Sequence, residues 1–279
     1  MIPINRTTIA ELISRRLRDS AVEIRVSFEA PGKIQSAIID DLLPSDLANE
    51  IASSFPQASQ MREAKSVHEH KFTAKQLNQF SPLIEEATFA FQEPIVIDTV
   101  AEITGLHALK GDPTLYAGGI SAMADGHFLL PHLDNSHDAA LGNYRVLNLL
   151  YYVTPEWEPE FGGNLELWDN GPEGEPREIV SRFNRLVLMA THQKSWHSVN
   201  EVHADKVRTC ISNYYFSEHS LFGEDYFHVT SFRAPHGKGV RDLVLRADNL
   251  VRNAVRHVAP QGIYKPELYA ERQKKGGAE

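Results

Sequence analysis

Several features common in other protein classes are missing from this 279-residue sequence. It has one cysteine, Cys210, so no disulfide can form within the chain. No apolar run approaches the roughly 18 residues that a membrane helix needs, and the first residues lack the charged-then-apolar order of a secretory signal. The formal net charge is −9, whereas nucleic-acid-binding proteins typically have an excess of positive charge. We therefore expect a cytoplasmic protein that binds neither membranes nor nucleic acids.

Residues 127–134, with the sequence HFLLPHLD, carry the first sign of chemistry. His132 and Asp134 are two positions apart, and residues at that spacing project from the same face of a β-strand. His197, in the segment SWHSV, is the best candidate for a third ligand from another part of the fold. Two histidines and one carboxylate on one face of an octahedron leave three positions open, which is diagnostic of non-haem Fe(II) oxygenases.

Arg208 follows His197 by eleven residues and opens the run RTCISNYYF. A guanidinium group held on a strand suits a carboxylate, because its two parallel N–H groups match the two carboxylate oxygens. The sequence thus combines a metal site with a candidate anchor for an acidic cosubstrate.

The first hundred residues have a mainly helical pattern. Residues 7–18 place apolar side chains on one helical stripe. Residues 22–29 alternate apolar and polar side chains, which predicts a half-buried strand. The other elements expected in this part are a strand at 34–39, a helix at 45–54, a solvated surface loop at 57–80 and two helices within 82–104, split at Pro94.

From about residue 114 the pattern changes to short strands separated by turn residues. Such a series predicts an all-β sandwich or barrel, and a double-stranded jelly roll is the natural form for a site built from distant strands. Strands are expected at 115–123, 128–133, 145–153, 164–169, 177–180, 185–190, 195–199 and 208–216.

The C-terminal part has the clearest helical pattern, at residues 239–258. Its apolar stripe is expected to pack on the sheet or on a second subunit, and residues 265–279 are expected to be disordered. We therefore divide the chain into an N-terminal helix-and-strand extension (1–33), a jelly-roll domain with its supporting helices (34–232), and a C-terminal helix and tail (233–279).

Together these motifs resemble the prolyl-4-hydroxylase-like branch of the Fe(II)- and 2-oxoglutarate-dependent dioxygenases. The resemblance covers roughly residues 34–217. It is carried by pieces that occur in the family's order, namely IIDDLLP at 38–44, GHF at 126–128, HLD at 132–134, the strand at 145–153, FGGNLELW at 161–168, RLVL at 185–188, WHSV at 196–199 and Arg208.

The resemblance implies an α+β fold with a double-stranded β-helix core, N-terminal helices packed on one side and a C-terminal helix. It implies iron ligation by His132, Asp134 and His197, and binding of the distal 2-oxoglutarate carboxylate by Arg208. Ascorbate is an optional further cofactor in this family. Halogenating relatives lack the ligand carboxylate, so Asp134 favours hydroxylation.

The sequence departs from the family at Met123, where many relatives have a tyrosine. Part of the hydrogen bonding to 2-oxoglutarate must then come from other residues. The candidates are Asn148, which ranks first, and Tyr116 and Tyr214.

We predict a hydroxylase that acts on an unactivated C–H bond of a small molecule or amino-acid side chain, with dioxygen, and releases succinate and CO2. The alternatives are a peptidyl prolyl hydroxylase, a metal-binding jelly-roll sensor without turnover, and a zinc hydrolase. Homodimerisation through the 239–258 stripe is a further option. Substrate specificity is expected from the segments 57–80, 135–144 and 217–236, the first as a lid.

Overall fold

The structure, a computed structural model, describes residues 5–237, 239–258 and 268–271. No helix within these residues is long and apolar enough to cross a membrane. The helices are α1 (Arg6–Asp19), α2 (Ala21–Phe28), α3 (Ser45–Ser53), α4 (Pro82–Ala90), α5 (Pro94–Thr104) and α6 (Val240–Val258).

Local sequence explains where the N-terminal helices begin and end. The Asn5 side chain accepts a hydrogen bond from the Thr8 amide at 2.9 Å and so caps α1. Helices α4 and α5 both begin with a proline, which has no N–H to leave unpaired in the first turn. Gly105 ends α5 in the left-handed conformation, with φ of 72°.

The predicted strand at 22–29 is wrong, because this segment is helix α2. Its apolar residues occur at every second position, but Ile24 and Phe28 are also four apart and lie on one helical face. Both are buried, whereas Val22 and Val26 are exposed. Burial of the Ile24/Phe28 pair against the body therefore overrides the alternating pattern.

The strands form one strongly connected antiparallel sheet, in the order β1-β9-β6-β11-β4-β3-β5-β10-β7-β8 with β12 on β5 and β2 on β3. They are β1 (Ser36–Ile39), β2 (Arg62–Lys65), β3 (Glu69–Ala74), β4 (Gly119–Met123), β5 (Phe128–Leu133), β6 (Tyr144–Tyr152), β7 (Leu165–Leu167), β8 (Arg177–Ile179), β9 (Arg185–Ala190), β10 (His197–Val199), β11 (Arg208–Ser217) and β12 (Ser231–Phe232).

The sheet curls into the predicted jelly roll with helices on one side, which confirms the α+β fold class. Helices α1, α4 and α5 pack together, and α1 shares a hydrophobic core with β6, β9 and β11 through residues such as Ile9, Ile13, Leu147 and Leu188. The proposed division of the chain at residues 33 and 232 stays a prediction.

The predicted loop at 57–80 is also wrong, because it contains the hairpin β2–β3. Strand β3 pairs with both β4 and β5 and so joins the two halves of the jelly roll. Gly119, with φ of 127°, permits this approach, since a Cβ atom there would collide with the Ala74 carbonyl oxygen. The hairpin side chains are half-buried or exposed, so its polar sequence resembles that of a loop.

Helix α6 packs on the body through the side opposite its predicted apolar stripe. Leu245 and Asp242 are buried, and the Asn249 side chain forms two hydrogen bonds with the Phe232 main chain at 2.9 and 2.7 Å. The stripe residues with described side chains are largely exposed: Leu243 by 66%, Val244 by 61%, Leu250 by 72% and Val251 by 62%.

Some predictions for the C-terminal part fall outside the described residues. The side chains of Val240, Val255 and Val258 are among them, as is most of the tail predicted at 265–279. In the described segment Leu268–Glu271, the Tyr269 amide donates to the Thr114 carbonyl oxygen at 2.6 Å.

Candidate metal centre

Strands β5 and β10 bring the three predicted metal ligands together. His132 and His197 lie opposite each other in the antiparallel register, with ring centroids 4.1 Å apart. Asp134, just beyond β5, lies with its carboxylate oxygens 3.7 Å from His132 Nε2 and 3.6 Å from His197 Nε2. One ligand atom from each residue falls within 4.8 Å of the others. This spacing and donor set fit a divalent first-row metal with open positions.

Main-chain carbonyl groups orient both histidines. The Nδ1 of His132 lies 3.0 Å from the Leu130 carbonyl oxygen, and that of His197 lies 2.9 Å from the Ser195 carbonyl oxygen. Because a carbonyl oxygen can only accept, each Nδ1 carries the proton and each Nε2 keeps its lone pair for a metal. Burial, with the neighbouring His197, lowers the pKa of His132 to about 3, so this ring is neutral and able to bind metal at pH 7.

The Asp134 carboxylate is held by two side chains of β6. Arg145 Nη1 lies 3.1 Å from its Oδ1, and Asn148 Nδ2 donates to its Oδ2 at 2.8 Å. Burial would raise the pKa of Asp134, but the Arg145 charge and the two histidines outweigh it and hold this pKa well below the usual range. The carboxylate is therefore ionised, and the orientation of one metal ligand depends on Arg145.

We expect Arg145→Met to weaken metal binding by about 10- to 100-fold, the usual effect of removing a partner of a ligand. The Asp134 carboxylate would lose its fixed charge partner and rotate more freely. Titration of the metal-free protein with Co(II), followed by absorbance, measures the effect. Arg182→Met, which removes an exposed arginine between β8 and β9 that does not line the metal-site cavity, is the control. Equal affinities in the two variants would contradict a role for Arg145 in holding the ligand.

A cavity of about 260 Å³ lies inside the jelly roll and is lined by all three ligands and by Arg208. Arg208, on β11, is 4% exposed. Its Nε donates to Ser181 Oγ at 2.9 Å, its Nη1 lies 3.5 Å from Met123 Sδ, and its guanidinium carbon stands 4.7 Å from the centre of the Tyr152 ring. Among the described residues no carboxylate forms an ion pair with Arg208. A buried, uncompensated guanidinium is unfavourable unless an anion binds to it, so the cavity fits an acidic ligand.

The other predicted cosubstrate residues fall into two groups. Asn148 and Tyr214 line the cavity, and Tyr214 also stacks with Arg145, whose guanidinium carbon is 4.5 Å from its ring centre. Asn148 also donates to Asp134, so it contacts a metal ligand and lines the cavity at the same time. Tyr116 is not among the lining residues, although the next residue, Ala117, is. Its hydroxyl lies 3.4 Å from Asn135 Nδ2.

Sequence reasoning missed residues that reach the site only through the fold. Arg145 and Ser181 carry no local signal of a role, because their partners, Asp134 and Arg208, lie in other elements of the fold. Tyr152 lies beneath Arg208, and burial raises the pKa of its hydroxyl to about 12, so it remains a donor. Lys71 of β3 and Lys75, the residue after that strand, line the cavity as well, because the segment predicted to be a loop contains part of the sheet.

Comparison with known proteins agrees with this geometry. Residues 118–216, which include all three ligands and Arg208, match the family described as the 2OG-Fe(II) oxygenase superfamily. Prolyl 3-hydroxylase OGFOD1 of Mus musculus is 31% identical over 105 residues, which are 36% of this chain and 19% of that protein. The chain therefore matches only about a fifth of the length of this curated relative.

Solved structures show the same fold. A prolyl-4-hydroxylase from Pseudomonas putida aligns with a TM-score of 0.53 and 15% identity, over 70% of this chain and 98% of that one. A prolyl 4-hydroxylase from Phytophthora capsici aligns with a TM-score of 0.52 and 16% identity, over 91% of this chain and 79% of that one.

Fold, ligand geometry and cavity define a jelly-roll protein with a site that fits a non-haem metal and an acidic ligand. Residues 118–216 match the 2OG-Fe(II) oxygenase superfamily by sequence, and the fold and the ligand set agree with that match. The donor set of the three ligands fits Fe(II), and the uncompensated Arg208 fits a keto acid such as 2-oxoglutarate.

Proposed function

We propose that the protein is an Fe(II)- and 2-oxoglutarate-dependent dioxygenase that hydroxylates an unactivated C–H bond of a small molecule or amino-acid side chain. One observation carries this proposal: the His132, Asp134 and His197 ligand atoms and the uncompensated Arg208 guanidinium line the same buried cavity. The reaction would consume dioxygen and 2-oxoglutarate and release succinate and CO2.

The residues of the cavity have separate tasks in this proposal. His132 Nε2, His197 Nε2 and one Asp134 oxygen would hold Fe(II), which when bound with the keto acid supplies the activation of dioxygen. Arg208 would fix the distal carboxylate, with Tyr152 as an additional donor. The apolar walls, including Leu129, Leu150, Leu165 and Val199, exclude water from the space between them.

The direct test is formation of succinate from 2-oxoglutarate by the purified chain. We expect formation that requires both Fe(II) and oxygen and stops on addition of a chelator. Slow turnover of 2-oxoglutarate without the substrate that is hydroxylated would be sufficient, since the three ligands and Arg208 would hold the keto acid beside the metal. A protein that binds Fe(II) but never converts 2-oxoglutarate to succinate would instead support the sensor alternative. Binding of zinc with indifference to 2-oxoglutarate would support a hydrolase, in which Arg208 has no clear task.

Peptidyl prolyl hydroxylation is the second candidate, and the names of the relatives favour it. The two substrate classes are separated by incubating the enzyme with free amino acids and with proline-containing peptides. Mass spectrometry then detects an added oxygen atom, and succinate formation is measured in parallel. Coupled oxidation of a peptide proline would exclude the small-molecule reading.

We propose a cytoplasmic location, which the single buried cysteine supports. We also propose a homodimer through α6, since four large apolar side chains exposed on one helical face are typical of an interface. A second copy presents an identical face, and the two helices could pack antiparallel. Subcellular fractionation tests the location.

The homodimer is tested by changing Leu250, which is 72% exposed, to glutamate. We expect the variant to be monomeric while the parent protein is dimeric, as measured by light scattering after gel filtration. Gln193→Glu, which adds one negative charge at an exposed site far from α6 in the sequence, is the control for added charge. A parent protein that is monomeric at all concentrations would rule out the dimer.

A further inference from the structure

A separate, much smaller cavity is also lined by the metal ligand Asp134, but not by Arg208. Its volume is about 10 Å³, about the least that can hold one water molecule. It is lined by Asp134, Asn135, Ser136, Arg145, Thr191, His192, Ser195, Tyr226 and His228.

Four residues that line this cavity each carry a buried polar atom with no hydrogen-bond partner among the described residues: Arg145 Nε, Thr191 Oγ1, Tyr226 Oη and His228 Nε2. They come from three separate parts of the chain, namely β6, the residue after β9 and the segment before β12. Arg145 and Thr191 are only 4% and 3% exposed. Buried polar atoms are nearly always satisfied by protein or by ordered water, so four unsatisfied atoms around one small cavity indicate a ligand.

We propose that this cavity binds a single internal water molecule, which ties His228, Tyr226 and Thr191 to Arg145 and through it to the metal ligand Asp134. The hydrogen-bonding capacity of the four atoms matches that of water. Arg145 Nε can only donate. His228 Nδ1 lies 3.3 Å from the Val229 carbonyl oxygen, so its Nε2 is the acceptor.

The two hydroxyl groups complete the set. Tyr226 donates, since burial raises the pKa of its hydroxyl to about 12 and keeps it protonated. Thr191 Oγ1 can accept. Water thus accepts from Arg145 and Tyr226 and donates to His228 and Thr191. A halide ion could not donate to His228, and the Asp134 carboxylate on the cavity wall would repel it.

The water matters for the metal site because of what Arg145 does there. Its two terminal nitrogens contact Asp134 and Asn135, at 3.1 and 2.6 Å, and only Nε remains for the cavity. A partner at Nε fixes the plane of the guanidinium group, and that plane sets the orientation of the carboxylate. Thr191, Tyr226 and His228 are therefore positioning residues that act through water and Arg145. The water site and its effect on metal binding do not depend on the proposed function, whereas any consequence for turnover rests on it.

Crystal structures of the metal-free and Co(II)-bound protein test the site. We expect one density peak within hydrogen-bond distance of all four atoms in both states. Absence of a peak would overturn the proposal. After a bromide soak, an anomalous peak in the cavity would also overturn it, because the occupant would then be a halide.

Two variants of Thr191 test the positioning role. Thr191→Val keeps the shape and removes the hydroxyl, whereas Thr191→Ser keeps the hydroxyl. We expect the valine variant to bind Co(II) several-fold more weakly, below the effect of changing Arg145 itself, and the serine variant to stay within about twofold of the parent. Equal affinities of the two variants would overturn the role. A parent protein that binds Co(II) but does not turn over 2-oxoglutarate would instead contradict only the proposed function.

Discussion

His132→Ala is expected to abolish turnover, with at least a roughly thousand-fold loss of succinate formation. Changes in groups that only support ligands already weaken metal binding by about 10- to 100-fold, and this change removes a ligand itself. Two remaining ligands, Asp134 and His197, cannot define the face of the octahedron that the chemistry needs. The measurement is succinate formation at saturating Fe(II) and 2-oxoglutarate, with metal content determined on the same sample.

His203→Ala is the matched control, because His203 is an exposed histidine only six residues after His197. It should leave both turnover and metal content unchanged. Circular dichroism and thermal unfolding of both variants establish that they fold. A folded His132→Ala protein with parental turnover would contradict the assignment of the metal site.

Arg208→Met is expected to raise the KM for 2-oxoglutarate by about 30- to several-thousand-fold. Truncating one partner of a buried, hydrogen-bonded charge pair costs about 2–5 kcal/mol, and each 1.4 kcal/mol is a factor of ten. The metal ligands are not touched, so Co(II) affinity should change little. Steady-state kinetics with 2-oxoglutarate as the varied substrate, together with a Co(II) titration, separate the two effects.

Arg208→Lys refines this prediction. Lysine keeps the charge but not the parallel pair of N–H groups, so the KM should fall between those of the parent and of Arg208→Met. Arg182→Met, at an exposed site, should behave as the parent. An unchanged KM in a folded Arg208→Met protein would show that the distal carboxylate binds elsewhere in the cavity, for example at Lys71 or Lys75.

The strands that form the site could be predicted well from sequence. Phe128–Leu133 and Arg185–Ala190 have the predicted bounds, since these strands are short, apolar and flanked by clear turn residues. The pairing of His132 with Asp134 could also be predicted, because a two-residue spacing fixes the face on which both lie. His197 and Arg208 needed the family's order of motifs, since nothing local shows that distant strands converge.

Other features could not be predicted because tertiary packing decides them. An apolar residue at every second position fits a strand and also an i, i+4 helical pair, and the buried partners of Ile24 and Phe28 settle the choice. The β2–β3 hairpin is polar because it is only half-buried. The side of α6 that packs on the body carries the buried Leu245 and Asp242 and the Asn249 contacts with Phe232, which the apolar stripe does not indicate. The contact of Arg145 with Asp134 depends on how the start of β6 pairs with the segment after Asp134, which the sequence alone does not show.

Anomalous diffraction from crystals soaked with Co(II) or Fe(II) and 2-oxoglutarate tests the central claim most directly. We predict one metal peak about 2.0–2.2 Å from His132 Nε2, His197 Nε2 and an Asp134 oxygen, the usual range for such ligands. We also predict a keto acid whose far carboxylate contacts Arg208. A metal bound elsewhere, or His197 turned away from the other two ligands with no cation between them, would contradict the claim.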